Sequence, residues 1–293
     1  VFYSLLFSLQ IGGPAWAATA AGAMFFLAVG RLASAEDAQT IYYIGTGTFL
    51  VTAAVLLVGK RIVRTLEILN WVLVTAIIGS FLVLALIFVP GKTWLAAGVG
   101  FAGYDLVNGT FTFLPEGTDF FLLGALVAYS GCGGMLNIAL SNWARDKGYG
   151  MSCRAGYISG AVGGQKVELA HSAFTFTPDK ESLSRWHGWW RIVRADQWGV
   201  FFLGSMLGMV LPALLYVTFV PRGTDIDGLG ISAVLASSIG ARQGAGLAAL
   251  IGFLGAWLLF KTQLDIIEGT TRSVTDILWT GSKRMRAWRG GDV

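Results

Sequence analysis

The chain has 293 residues, 21 Lys and Arg against 17 Asp and Glu, a formal net charge of +4, and only 13% charged residues, about half the roughly 25% of an ordinary soluble domain. With 55% hydrophobic residues and a mean hydropathy of +0.65, this composition excludes a water-soluble surface of normal size. Two cysteines, Cys132 and Cys153, exclude a disulfide scaffold and a four-cysteine metal site.

The charges leave six long uncharged stretches, and an apolar helix needs about 20 residues to cross the hydrocarbon. The chain therefore reads as an all-α, polytopic transmembrane helix bundle, one transmembrane domain over 1–293, with spans at about 4–30, 41–58, 68–89, 119–142, 198–220 and 243–267. In the first, Gly12-Gly13-Pro14 predicts a kink and the Ala-rich run to Gly22 predicts close helix packing. The connection Gly59 to Asn70 is short and basic, which predicts a tight hairpin, and the Gly-rich segment Pro90 to Thr118 predicts a loop with a short surface helix.

Residues 143–196 read as a cytoplasmic loop carrying an interfacial helix. Thr175-Phe176-Thr177-Pro178-Asp179 reads there as a strand end and turn. Trp186, Trp189, Trp190 and Trp198 interleave with Arg185, Arg191 and Arg194, spacing that suits a helix in the headgroup layer. His171 and His187 have no second ligand at metal-binding spacing, and no hydrolase elbow, phosphate loop or zinc motif occurs, so neither an enzyme nor a bound cofactor is expected. In the fifth span Gly204-xxx-Gly208 reads as a close-packing stripe. Ile231 to Ala241 is too short to cross and predicts an amphipathic external helix.

With the N-terminus inside, 17 Lys and Arg fall on the cytoplasmic side, and 4 (Arg31, Lys92, Arg222 and Arg242) fall outside. Retention of basic loops in the cytoplasm accounts for this split, placing both ends of the chain inside. The basic tail at 280–293, with Lys283 to Arg289, reads as a topology anchor against anionic lipid and not as a nucleic-acid site.

The fourth span is broken by Ser130-Gly131-Cys132-Gly133-Gly134 before Met135-Leu136-Asn137. Each glycine costs about 1 kcal/mol in a helix relative to alanine, and opened carbonyls are tolerated at mid-membrane only beside protein or a water-filled cavity. A discontinuous helix uses such carbonyls to hold a substrate or ion, so Ser130 to Met135 and Asn137 are the candidate binding residues. In the last span Gln263 and Asp265 bring polar groups into the inner half of the membrane and are candidates for a proton or ion pathway. Asp265 is equally an interfacial carboxylate paired with Lys261 at i, i+4.

The segment SGCGGMLNIALSNWARDKGYG from Ser130, RWHGWWRIVRADQWG from Arg185 and QLDIIEGTTRSVTDILW from Gln263 resemble divergent bacterial members of the Nramp (natural resistance-associated macrophage protein) family of divalent-metal transporters. The resemblance implies a leucine-transporter-type five-plus-five inverted repeat, with these spans as the third to eighth helices, and manganese, iron or magnesium moved with protons. It implies Asn137 and Met135 as metal ligands, and the bacterial cytoplasmic (inner) membrane as the location. Two departures stand out. The family's Asp-Pro-Gly-Asn motif has no counterpart, so the chain reads as a fragment, and no Pro or His precedes Asn137, which favours a harder, oxygen-ligated ion. The reading is thus a proton-coupled divalent-cation transporter with the lipid bilayer as its surroundings. The alternatives are a same-fold transporter of a non-metal solute and a non-transporting membrane scaffold or sensor.

Overall fold

The computed structural model describes Phe2 and residues 13–57, 60–106, 108–114, 117–130, 136–154, 156, 175–224 and 230–282. In chain order the helices are α1 (Gly13–Val29), α2 (Ala38–Leu57), α3 (Lys60–Phe88), α4 (Gly91–Gly100), α5 (Phe120–Ser130), α6 (Leu136–Asp146), α7 (Lys180–Ala195), α8 (Leu203–Phe219), α9 (Ile231–Gln243) and α10 (Ala245–Gly281). A two-residue ladder, β1 (Tyr104–Asp105) with β2 (Thr110–Phe111), pairs Tyr104 with Phe111 antiparallel.

Four helical stretches among the described residues are long and apolar enough to cross a membrane: Ala35–Leu57, Asn70–Phe88, Lys180–Phe219 and Ala245–Gly281. The other two expected spans are shorter where described. Helix α1 has 17 residues, with 3–12 of that stretch outside the described residues. The fourth is two helices, α5 and α6, of 11 residues each. At 1.5 Å per residue each half reaches about 16 Å, half of the roughly 30 Å hydrocarbon thickness.

The chain divides into two compact units. The first holds Val1–Asn70, Gly134–Ile192 and Ile226–Val293; in it α10 packs against α1, α9, α6 and α2. Small residues make these contacts close, as the Ala-rich first run predicts. Ala17, Ala20, Ala21 and Ala23 of α1 are buried, and a Cβ on Gly45 of α2 would lie 3.5 Å from the Ala17 carbonyl oxygen. A Cβ on Gly240 would meet the Ala248 Cβ at 2.6 Å, and one on Gly255 the Ser232 Cβ at 2.7 Å. The α1–α2 turn is closed by Arg31, which donates to both carboxylate oxygens of Asp37 at 2.6 and 2.8 Å, while Asp37 accepts from the Ser34 backbone N–H at 2.8 Å.

The second unit holds Trp71–Gly133 and Val193–Asp225. Leu211, Leu214, Leu215 and Phe219 form the buried face of α8, and Phe88 meets Phe219 edge to face at 5.7 Å. Asp119 accepts from the backbone N–H of Phe121 and Leu122 at 2.9 and 3.1 Å, which satisfies two donors at the start of α5.

Several expectations are revised. Helix α3 begins at Lys60 and not near Ile68, because the basic stretch Lys60 to Glu67 contains no residue that stops a helix. Thr175 to Asp179 is irregular and not a strand end: the Asp179 carboxylate accepts from the Ser182 backbone N–H at 2.7 Å and starts α7. Helix α9 is not amphipathic, since four consecutive residues, Ala233 to Ala236, are buried; small side chains let every side of it approach a neighbour. Gly204 and Gly208 have no atom within 4 Å of an added Cβ, so that stripe makes no close contact among the described residues. The surface helix expected between Pro90 and Thr118 is α4.

Candidate functional site

Helix α10 runs 37 residues and carries charge into a membrane-length element. Lys261, Asp265, Glu268, Arg272 and Asp276 recur at intervals of four, three, four and four, a spacing that aligns them along one side of the helix. Lys261 Nζ donates to the Asp265 carboxylate, with the two side chains 27% and 30% exposed. Arg272 donates to Glu268 through Nε at 3.0 Å and Nη2 at 2.7 Å. Aligned Glu and Arg at i, i+4 close such a fork readily.

The stripe is met by the end of α6. Arg145 donates from Nη1 to Asp276 at 2.8 Å and from Nε to its neighbour Asp146 at 3.1 Å, and Arg272 donates to Asp146. Two guanidinium groups are thus held among three carboxylates, and most of their surface is removed from solvent. Lys147 pairs with Glu67 of α3 on the outside of the same unit. The uncharged runs end at Ala144 and Phe260, so a reading built on them passed over Glu268, Arg272, Asp276, Arg145 and Asp146. For Glu268, Arg272 and Asp276 the signal was present in the i, i+4 spacing of opposite charges; Arg145 and Asp146 join them from another helix.

Gln263 is fully buried, and neither its Oε1 nor its Nε2 has a hydrogen-bond partner among the described residues. Burying an amide without partners costs about 1–3 kcal/mol by mutational measures, so the position is costly as it stands. Gln263 and Asp265 are two residues apart, about 200° around the helix, and so point to opposite sides of α10. The structure does not bring these two pathway candidates together. Asn142 of α6 is likewise buried with its Nδ2 unpartnered, as are Arg145 Nη2, Ser232 Oγ and Trp279 Nε1. Thr48 and Thr52 of α2 are also buried, but each donates within its own helix, to Gly45 O at 2.8 Å and to Thr48 O at 3.0 Å.

Of the fourth-span candidates, Ser130 is the last residue of α5 and Asn137 the second of α6. Gly131, Cys132, Gly133, Gly134 and Met135, and the side chains of Ser130 and Asn137, lie outside the described residues. Among the described residues no group of three or more His, Cys, Asp and Glu side chains is placed to hold a metal ion. The membrane-length apolar helices place this chain among helical membrane proteins. Comparison with protein-family models, with curated proteins and with solved structures finds no match.

Proposed function

We propose that this protein is a secondary transporter that moves a divalent cation, manganese, iron or magnesium, together with protons. The observation that carries the reading is Gln263, fully buried in a helix of membrane-spanning length with neither amide atom paired among the described residues. An amide at that depth is retained against its cost where it meets a polar species that comes and goes. Asn137 and the glycine-rich sequence from Ser130 to Met135 supply the cation's ligands, the role a discontinuous helix would give them. Asp265 carries the coupling proton, with Lys261 exchanging its charge partner as the proton arrives. The leucine-transporter-type repeat and the bacterial inner-membrane location, with both ends cytoplasmic, belong to the same proposal.

Uptake into proteoliposomes tests it. Reconstituted protein is expected to import manganese, iron or magnesium with acidification of the lumen, and Asn137→Ala and Gln263→Leu are expected to abolish uptake while Arg185→Ala leaves it intact. Uptake of none of the three cations would overturn the reading; flux of a non-metal solute would make the protein a same-fold transporter of another class, and no flux at all a scaffold or sensor.

A further inference from the structure

Helix α7 is almost bare. Of its 16 residues only Ser182 and Gly188 are even half-buried, and Trp186, Trp189 and Trp190 are 46%, 40% and 47% exposed. The rings are nevertheless ordered against one another: Trp186 and Trp190 stack with centroids 5.6 Å apart and planes 6° apart, and Trp189 lies 5.9 Å from the ring of Tyr149. Isolated helices of this length are marginal in water, and an uncovered row of tryptophans needs a partner.

The register of the helix identifies that partner's chemistry. Leu183, Trp186, Trp189 and Trp190 fall within an arc of about 120°. Lys180, His187 and Arg191 fall together along one edge of that arc, and Arg185 stands at the other edge, tied to Glu181. Ser184, Gly188 and Glu181 occupy the opposite side, with Ile192 at its margin. An apolar aromatic face bordered by cations is the pattern of a helix seated at the boundary of headgroups and acyl chains. Tryptophan takes up that depth, with its ring in the apolar layer and its N–H among the headgroups. Continuity places such a surface within reach. The helical residues run without interruption from Lys180 through Asp196–Phe202, where the turn widens to π-helix, to Phe219, 40 residues where the hydrocarbon needs about 20.

We propose that α7 is a binding surface for anionic phospholipid headgroups, with Lys180 and Arg191 on the phosphates and Trp186, Trp189 and Trp190 at the acyl boundary. Charge selects the lipid: basic residues close to an anionic leaflet each add attraction that a zwitterionic leaflet does not supply, and that attraction falls off within a Debye length. The assignment is independent of what the protein transports.

Amide hydrogen exchange of the full chain in nanodiscs tests it. Amides from Leu183 to Arg191 are expected to exchange at least tenfold more slowly in discs with about one third phosphatidylglycerol than in pure phosphatidylcholine. Raising the salt to roughly 0.5 M should erase most of that difference in the unmodified chain, as should Lys180→Gln combined with Arg191→Gln. Equal exchange in the two lipids would overturn the proposal. So would protection that is indifferent to lipid charge and disappears in discs holding a single chain, which would assign the face to a second copy. Protection that appears in detergent only on adding RNA would overturn it as well.

Discussion

Arg145 on α6 donates to the Asp276 carboxylate on α10 at 2.8 Å, across 131 positions of sequence. Arg145 is 17% exposed and Asp276 30%, so the pair is partly withdrawn from water, and Arg145 is shared with Asp146. Removing one member strands charge that the others had neutralised.

Arg145→Ala should therefore destabilise the first unit by about 2–4 kcal/mol, and Arg272→Ala by a similar amount. Arg185→Ala, which breaks a pair with 76% exposure on both sides, should change stability by no more than about 0.5 kcal/mol. Denaturant unfolding of the three variants in the same micelle checks this, and equal effects would remove the distinction between network and surface pair.

Gln263 separates stability from transport. Gln263→Leu keeps the volume and removes two buried polar atoms that have no partner among the described residues, so the protein should gain about 1–3 kcal/mol while cation uptake falls to background. Thermal unfolding and flux measured on one preparation check both parts. A destabilised variant would mean that the amide is satisfied.

Glycines in this chain divide into two kinds. Gly240→Ala drives a methyl group to 2.6 Å from the Ala248 Cβ, and should cost about 1–3 kcal/mol by overpacking. Gly204→Ala has open space and should stabilise α8 by up to about 1 kcal/mol through helix propensity. Unfolding midpoints of the two single variants should move in opposite directions.

The start of α7 responds to acid. The Ser182 backbone N–H beside Asp179, assisted by the Ser182 hydroxyl, holds that carboxyl below the usual carboxylate range. A carboxyl whose folded value is lowered contributes stability above the unfolded value of about 3.9, and that contribution is lost as pH falls through the folded value. Exchange of the Ser182 amide should therefore accelerate, beyond its intrinsic pH dependence, as pH drops below about 4. Asp179→Asn, which caps without titrating, should show no such acceleration.

Uncharged runs made the membrane-length helices legible: the stretches at 41–58, 68–89 and 198–220 coincide with the bodies of α2, α3 and α8. The same device hid their continuations. Helix α3 reaches back to Lys60 and α7 runs into α8 because no residue there stops a helix, and α10 continues to Gly281 with opposite charges at i, i+4 spacing supporting it. The network of Arg145, Asp146, Glu268, Arg272 and Asp276 lay in those continuations, where pairing partners on separate helices cannot be read from one segment alone. Gln263 and Asp265 were visible as polar residues in an apolar stretch, but their opposite orientations follow from helix phase. The glycine break from Ser130 to Gly134 was the strongest signal in the sequence, and Gly131 to Gly134 lie outside the described residues.

The order of charges along α10 also fixes where α6 can rest. With Arg145 at Asp276 and Asp146 at Arg272, every contact joins opposite signs. A slip of one helical turn, about 5.4 Å, towards the start of α10 sets Arg145 against Arg272 and Asp146 against Glu268. A slip the other way sets Asp146 against Asp276 and leaves Arg145 beside Thr280. Both displaced seatings bring like charges together, so the two helices engage as a key with a single notch.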